Sequence, residues 1–353
     1  MARRLARPRS QRITGGMHIT LVDDSIPFDG FTATARPLGG AEKAFASLPG
    51  ALARRGHTVA VYNRCRWGMT TEGAQWSGLE ERKPLATDLL IAFRKPTLLQ
   101  FVRHARRRIL WHTGPGRMLE RPATRSLIDE HQALVLLMTR AQAPAAGITA
   151  ARLPPAVRAD FLDGSPTTPD TPPVAVATTH PAHGLEWLLD LWIGRIRPAA
   201  PTARLHLYSM SLARAADGEP VEPGLAALAI QVQAAAEHGV TVLRPQGDPL
   251  MAQAYRRARV HLYPGHADDV TAFTLLESQA CGLPAVVRPL GAAPERIVNG
   301  RSGMVAPDDD AFANLATLLL TDDAMQHSYS AEAREHGRGW DWDAAAAALD
   351  ELL

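Results

Sequence analysis

Only two cysteines, Cys65 and Cys281, occur in 353 residues, far apart and in no ligand spacing. That argues against a disulfide framework or a cysteine zinc site and fits a reducing, cytoplasmic compartment. No apolar run approaches the ~18 residues that a membrane-spanning helix needs. Neither sign of charge dominates: 38 Lys and Arg stand against 36 Asp and Glu, a net charge of +2. Charge alone therefore points to neither nucleic acid nor a membrane surface. No short internal repeat is visible. Residues 1–16 are basic and lack an apolar core, which excludes a secretory signal. They read as a disordered basic arm, or as a stretch ahead of a true start at Met17. What remains is an ordinary globular composition, 46% hydrophobic and 21% charged, long enough for two domains with separate cores.

From Met17 onward, short apolar runs alternate with amphipathic stretches. His18–Val22, Thr58–Tyr62, Asp88–Phe93, Arg108–Trp111 and Ala133–Met138 read as strands, nearly continuous in apolar residues, as strands covered on both faces are. A helix is expected over Ala41–Arg55, distorted at Pro49-Gly50 and stopped by Gly56. The segment HARRR, 104–108, reads as a solvated helix face. Periodicity lapses in a Pro-rich stretch between Leu153 and Pro173. This predicts a first domain over 17–160, a linker over 161–173, a second domain over 174–340 and a C-terminal helix over 341–353. In the second domain, strands are expected at Val174–Thr178, Leu205–Ser209, Val240–Leu243, Val260–Tyr263 and Ala285–Val287, with helices between them. Either Asp341 or Asp343 caps the last helix. Two such alternations argue for two Rossmann-like domains facing a cleft. Trp187, Trp192, Trp340 and Trp342 read as packing anchors.

The most informative stretch is DVTAFTLLESQACGLP, Asp269 to Pro284. One acid, Asp269, opens a loop, and after seven intervening residues a second acid, Glu277, sits inside a short helix. Free N–H groups at a helix start can hold phosphate oxygens, and a carboxylate can accept hydrogen bonds from ribose hydroxyls. Spacing alone fits a loop acid and a surface helix acid equally well. Downstream come Gly291, then Pro294-Glu295-Arg296-Ile297, Asn299-Gly300 and Ser302-Gly303. Upstream, Pro37-Leu38-Gly39-Gly40-Ala41-Glu42 and Ala51-Leu52-Ala53-Arg54-Arg55-Gly56-His57 frame the first helix.

As a set, these segments resemble the retaining glycosyltransferases of the GT-B fold that carry an E-x7-E motif, here with Asp in the first acid position. The resemblance implies an α/β GT-B architecture and a metal-independent enzyme with no resident cofactor. A UDP- or GDP-type sugar would be co-substrate, and a glycan or lipid-linked hydroxyl the acceptor, as in polysaccharide biosynthesis. It further implies that Glu277 holds the ribose, with Asp269 near the transferred sugar. Thr271, Ala272, Phe273 and Thr274 would cradle the diphosphate, with Gly39 and Gly40 close to the donor. His112, at a strand end, would line the cleft, although a lone histidine there serves equally as a polar cap. The two acids are expected to converge on one crevice.

One departure weakens this picture. The family holds the pyrophosphate with an Arg and a Lys after the first strand of the second domain. Here Ala177–Gly184 contains neither, and His183 falls at the cation position. A catalytically impaired binding or assembly module, or a sugar-nucleotide epimerase of the same fold, is the alternative.

Overall fold

The computed structural model describes residues 15–143 and 146–353. The basic arm expected over 1–16 lies, up to Thr14, outside the described residues. The first sheet is built from β1 (His18–Val22), β2 (Thr58–Asn63), β3 (Met69–Thr71), β4 (Ala74–Gly78), β5 (Ala86–Phe93), β6 (His104–Trp111), β7 (Leu134–Leu137) and β8 (Ala150–Arg152). Their order is β3-β4-β2-β1-β5-β6-β7-β8, parallel except for the β3–β4 hairpin. The second sheet contains β9 (Val174–Ala177), β10 (Arg204–Tyr208), β11 (Val240–Leu243), β12 (Val260–Tyr263), β13 (Ala285–Val287) and β14 (Gly303–Val305). It is parallel throughout, in the order β11-β10-β9-β12-β13-β14.

Each sheet is buried on both faces, which is why its strands are apolar rather than alternating. In the first domain Leu21, Ile91 and Phe93 face one cluster with Phe45 and Leu48, while Val22, Leu90 and Leu110 face another. In the second, Leu205 and Leu262 pack with Leu188, Trp192 and Phe312. On the other face Val174 and Val176 meet Phe161, Met251 and Tyr255.

Three expectations need correction. The helix Gly40–Arg54 runs unbroken through Pro49 and Gly50, both buried. An interior proline costs ~3 kcal/mol, but this helix buries Phe45, Leu48, Ala51 and Leu52 completely. At ~1.5–3 kcal/mol for each large side chain, packing outweighs the lost bond. The HARRR segment is strand, not helix: β6 begins at His104, opposite Ala86 of β5. Its first residues are mostly exposed and its last three buried, so the arginines stay solvated while the strand is still paired. Finally, 161–173 is not a free linker. Val157 and Phe161 already sit in the second domain's core, whereas Leu153 and Ala156 belong to the first. Thr167 bonds the Cys281 and Gly282 carbonyls, and Arg334 bonds those of Gly164 and Ser165.

The chain recrosses to the first domain at its end. Asp341, rather than Asp343, caps the helix Trp342–Leu352 through the Ala344 N–H. Trp342 joins the first core beside Trp111, ring centroids 6.5 Å apart, and Arg55 pairs with Asp350 at 2.5 Å. Trp192 is also an anchor, fully buried with its indole N–H on the His238 carbonyl.

Candidate functional site

Loops that follow strands in one domain meet loops that follow strands in the other. Arg117, after β6, makes a two-pronged pair with Asp268, after β12 (2.6 and 2.9 Å). Thr139, after β7, donates its hydroxyl to the Val270 carbonyl (2.6 Å). The Arg140 and Ala141 N–H groups both reach the Glu295 carboxylate (2.9 and 2.8 Å). The carboxyl ends of the two sheets therefore face each other across an interdomain seam. In the second sheet the strand order reverses between β9 and β12, and the loops after these strands, 178–184 and 264–272, line the crevice where ligands of open parallel sheets bind.

Asp269 spends its carboxylate on its own loop. One oxygen accepts from the N–H groups of Ala272 (2.9 Å) and Thr271 (3.4 Å), and the other from the Tyr263 hydroxyl. Beneath the loop, the buried Arg296 sends two donors to the Thr271 carbonyl (3.0 and 2.8 Å), and burial pulls its pKa down to about 10. The expected cradle is thus reduced: the Thr271 and Ala272 N–H groups are already taken. Phe273 and Thr274, the first residues of the helix Phe273–Ala280, keep theirs. Thr178 donates its hydroxyl to that of Thr274 (2.8 Å) and also contacts His261 Nε2 (2.9 Å). The other imidazole nitrogen of His261 meets Ser278 (2.8 Å). Burial depresses His261 to about 3, so a neutral ring on β12 ties the loop after β9 to the helix. Gly291 packs on the backbone of Asp269 and His266, where any side chain would collide.

Glu277 faces the first domain, one turn further along the helix. Its Oε1 accepts from the Lys43 Nζ (2.6 Å), and the same ammonium stands 2.6 Å from Asp248 Oδ1. Asp248 also lies 3.0 Å from Arg158 Nε; its contacts are close but poorly aligned for hydrogen bonding, so that pairing is mainly coulombic. Asp248 and Glu277 are both buried. Desolvation raises both carboxyl pKa values, with Lys43 pulling each back. For Lys43, desolvation is the largest influence and acts downward, but Glu277 and Asp248 together outweigh it and hold the ammonium above its ordinary value. Two cations thus neutralise two anions in a sealed interdomain cluster.

Gly40 completes the seal. A Cβ there would collide with the Phe273 ring, so glycine lets the first-domain helix close onto that side chain. Gly39 is its N-cap residue. Between Gly40, Lys43, Phe273 and Glu277 only about 10 Å³ is left, roughly room for one water. A roomier groove of about 310 Å³ beyond Arg158 is lined by Ser47, Asp160, Asp341 and Trp342, and by neither crevice loop.

Among the described residues Asp269 and Glu277 share no hydrogen-bond or ion-pair partner: Asp269 bonds its own loop and Tyr263, while Glu277 pairs with Lys43 across the seam. His112 is buried, with Nε2 3.1 Å from the Pro115 carbonyl, and its hydrogen bonds all stay within the first domain. Burial lowers its pKa, opposed by the Pro115 and Gly114 carbonyls. His183 is half-buried and stacked on His266, centroids 4.4 Å apart and planes 8° apart. Desolvation, then His266 and His180, depress it. Among the described residues no group of three or more His, Cys, Asp or Glu could hold a metal ion, and no helix is long and apolar enough to cross a membrane.

Sequence reasoning gave no role to Lys43, Asp248 or Arg158, and none to Glu295 and Arg296 beyond their place in a motif. Lys43 left one signal: it shares a helix face with Ser47 and Ala51, where a solvated lysine has no place.

The architecture is that of the GT-B glycosyltransferases: α/β, with two parallel-sheet domains. It superposes on sucrose-phosphate synthase from Thermosynechococcus elongatus with a TM-score of 0.70 at 16% identity, covering 95% of this chain and 97% of that one. The Anabaena protein HepE, solved in complex with UDP-glucose, gives 0.67 at 14% identity, covering 95% and 99%. Residues 173–322 match the family model described as Glycosyl transferases group 1. In sequence the chain is similar to D-inositol 3-phosphate glycosyltransferase from Thermobispora bispora, 32% identical over 180 residues, 46% of this chain and 42% of that protein. The match thus spans less than half of that relative's length.

Proposed function

We propose that the protein is a retaining, metal-independent glycosyltransferase that moves a sugar from a UDP- or GDP-type nucleotide sugar to a hydroxyl of a glycan or lipid-linked acceptor. Glu277 carries this reading. It lies within the stretch that matches the family and faces the seam between the carboxyl ends of both sheets. Nothing in the fold requires a buried carboxylate there, and a buried charge is costly unless it is paired. On this reading Glu277 accepts from the ribose hydroxyls once Lys43 releases it. The free N–H groups at the start of its helix, with the Thr274 hydroxyl, meet the diphosphate. As the sugar–phosphate bond loosens, charge grows on the leaving phosphate oxygen, and donors already aimed at it lower the barrier without reorganising. Asp269 shapes the loop, and the neutral His112 positions groups at the far side of the seam.

The cramped seam favours a second reading, a binding or assembly module that no longer takes a donor. Calorimetry with UDP and GDP separates the two. A transferase binds one of them and loses it in Glu277→Ala while circular dichroism stays unchanged. Absence of binding to either at millimolar ligand supports the module. Release of the nucleoside diphosphate from UDP- and GDP-sugars, with D-inositol 3-phosphate as the first acceptor tried, then tests turnover.

A further inference from the structure

We propose that Arg288, laid over Trp187, is the fixed cation of a diphosphate subsite at the mouth of β9 and β12, flanked by the stacked His183 and His266. The proposal rests on the glycosyl-donor reading for the identity of the ligand, but not for the presence of an anion site.

Arg288 directly follows β13, beside β12. Its guanidinium carbon stands 4.4 Å from the Trp187 ring centroid. Its Nη1 lies 3.7 Å from the place a Cβ on Gly184 would occupy, so the charge leans across the crevice onto the loop after β9. Among the described residues no carboxylate lies within ion-pair distance of it and no hydrogen bond holds it. Four basic side chains around the seam are already engaged: Arg94 by Glu42, Arg117 by Asp268, Arg244 by Asp217, Arg296 by the Thr271 carbonyl. A half-buried arginine clamped on an indole, yet without an anion, is a charge held in readiness.

The neighbouring groups fit the same ligand. His183 precedes Gly184, and His266 follows Gly265, whose own Cβ position falls 3.8 Å from the Arg288 carbonyl. Two parallel imidazoles 4.4 Å apart repel each other when both are protonated, and a bound dianion removes that penalty. The negative charges nearby are engaged: Asp268 pairs with Arg117, and Asp269 holds its own loop. Flat, two-pronged guanidinium contacts suit phosphoryl oxygens, and this arginine compensates for the absence of any Arg or Lys between Ala177 and Gly184.

The test is calorimetry on the full chain with inorganic pyrophosphate, UDP, GDP, uridine and guanosine, comparing wild type, Arg288→Ala, Arg288→Lys and, as a distant control, Arg214→Ala. Arg288→Ala is expected to weaken pyrophosphate and the bound diphosphate by about tenfold or more without changing nucleoside affinity. Arg288→Lys should recover only part, since an ammonium neither stacks flat nor binds in two prongs. Equal binding by Arg288→Ala and wild type overturns the proposal, as does an equal loss of nucleoside and diphosphate. If wild type holds pyrophosphate but neither nucleotide, the donor reading fails while the pyrophosphate comparison still decides the subsite. If it holds none of the three, both fall.

Discussion

Replacing Lys43 with Met tests the charge cluster that closes the seam. The ammonium sits 2.6 Å from both Glu277 and Asp248. Without it, Asp248 keeps Arg158 at 3.0 Å, but Glu277 loses its only direct ion-pair contact among the described residues and keeps just the weaker pull of Arg158. Removing one partner of a buried ion pair costs roughly 3–5 kcal/mol, because the survivor stays desolvated and alone. The cluster spans two domains, so the chain has an escape that a single core lacks: the lobes can part and let water reach Glu277. The expected result is therefore either a lower denaturation midpoint or a larger radius of gyration, whichever costs less. At ~1.4 kcal/mol per tenfold, 3 kcal/mol shifts an open–closed ratio more than a hundredfold.

The pH dependence carries a definite sign. Desolvation raises the Glu277 pKa, and Lys43 is the main group pulling it back, so in Lys43→Met it rises further. A carboxyl raised above its unfolded value favours the folded state while protonated and loses that advantage as pH climbs through the folded pKa. The Lys43→Met deficit should thus be largest at pH 8 and shrink towards pH 5. In a Glu277→Gln background the same substitution should cost about 1–3 kcal/mol less. Unchanged midpoint and unchanged scattering at pH 8 would refute the idea that this cluster holds the lobes.

Other tests address single features. Ala272 is held left-handed, φ 45° and ψ 49°, at the helix N-cap; Ala272→Gly should stabilise the chain by about 0.5–1 kcal/mol in urea titration. Trp342, buried beside Trp111, should cost about 3–5 kcal/mol as Ala, read from the same titration. Burial and the neighbouring His266 and His180 hold the His183 pKa below its ordinary value, with Asp269 and Asp268 opposing. The ring therefore gains its charge only below the ordinary imidazole range, and diphosphate affinity should rise as pH falls through its depressed pKa; His183→Asn should flatten that slope.

The two-sheet architecture was legible because parallel strands covered on both faces are written as short apolar runs, and β1, β9 and β12 need no tertiary information to be seen. The hairpin β3–β4 was not, since Met69–Thr71 and Ala74–Gly78 carry no strong period. Glu277 stood out by its surroundings, but nothing local says that its partner is 234 positions away. Asp269 shows a local signal that spacing does not reveal: a short acid two and three residues before free N–H groups bonds them itself. At Pro49 propensity was read correctly and overridden by burial.

On the proposed reading, closure and donor binding draw on the same carboxylate, which ties stability to affinity. A ribose cannot reach Glu277 while Lys43 holds it and only about 10 Å³ is open beside it. If the closed form dominates the empty protein, apparent affinity falls in proportion to the small open fraction. Lys43→Met should then tighten UDP or GDP binding even as it lowers stability, because the latch no longer competes. A variant that loses both would place the Lys43 ammonium on the donor itself, as a phosphate contact rather than a clasp. Opposite signs from one substitution distinguish a gate from a ligand-binding group, and stability data alone could not.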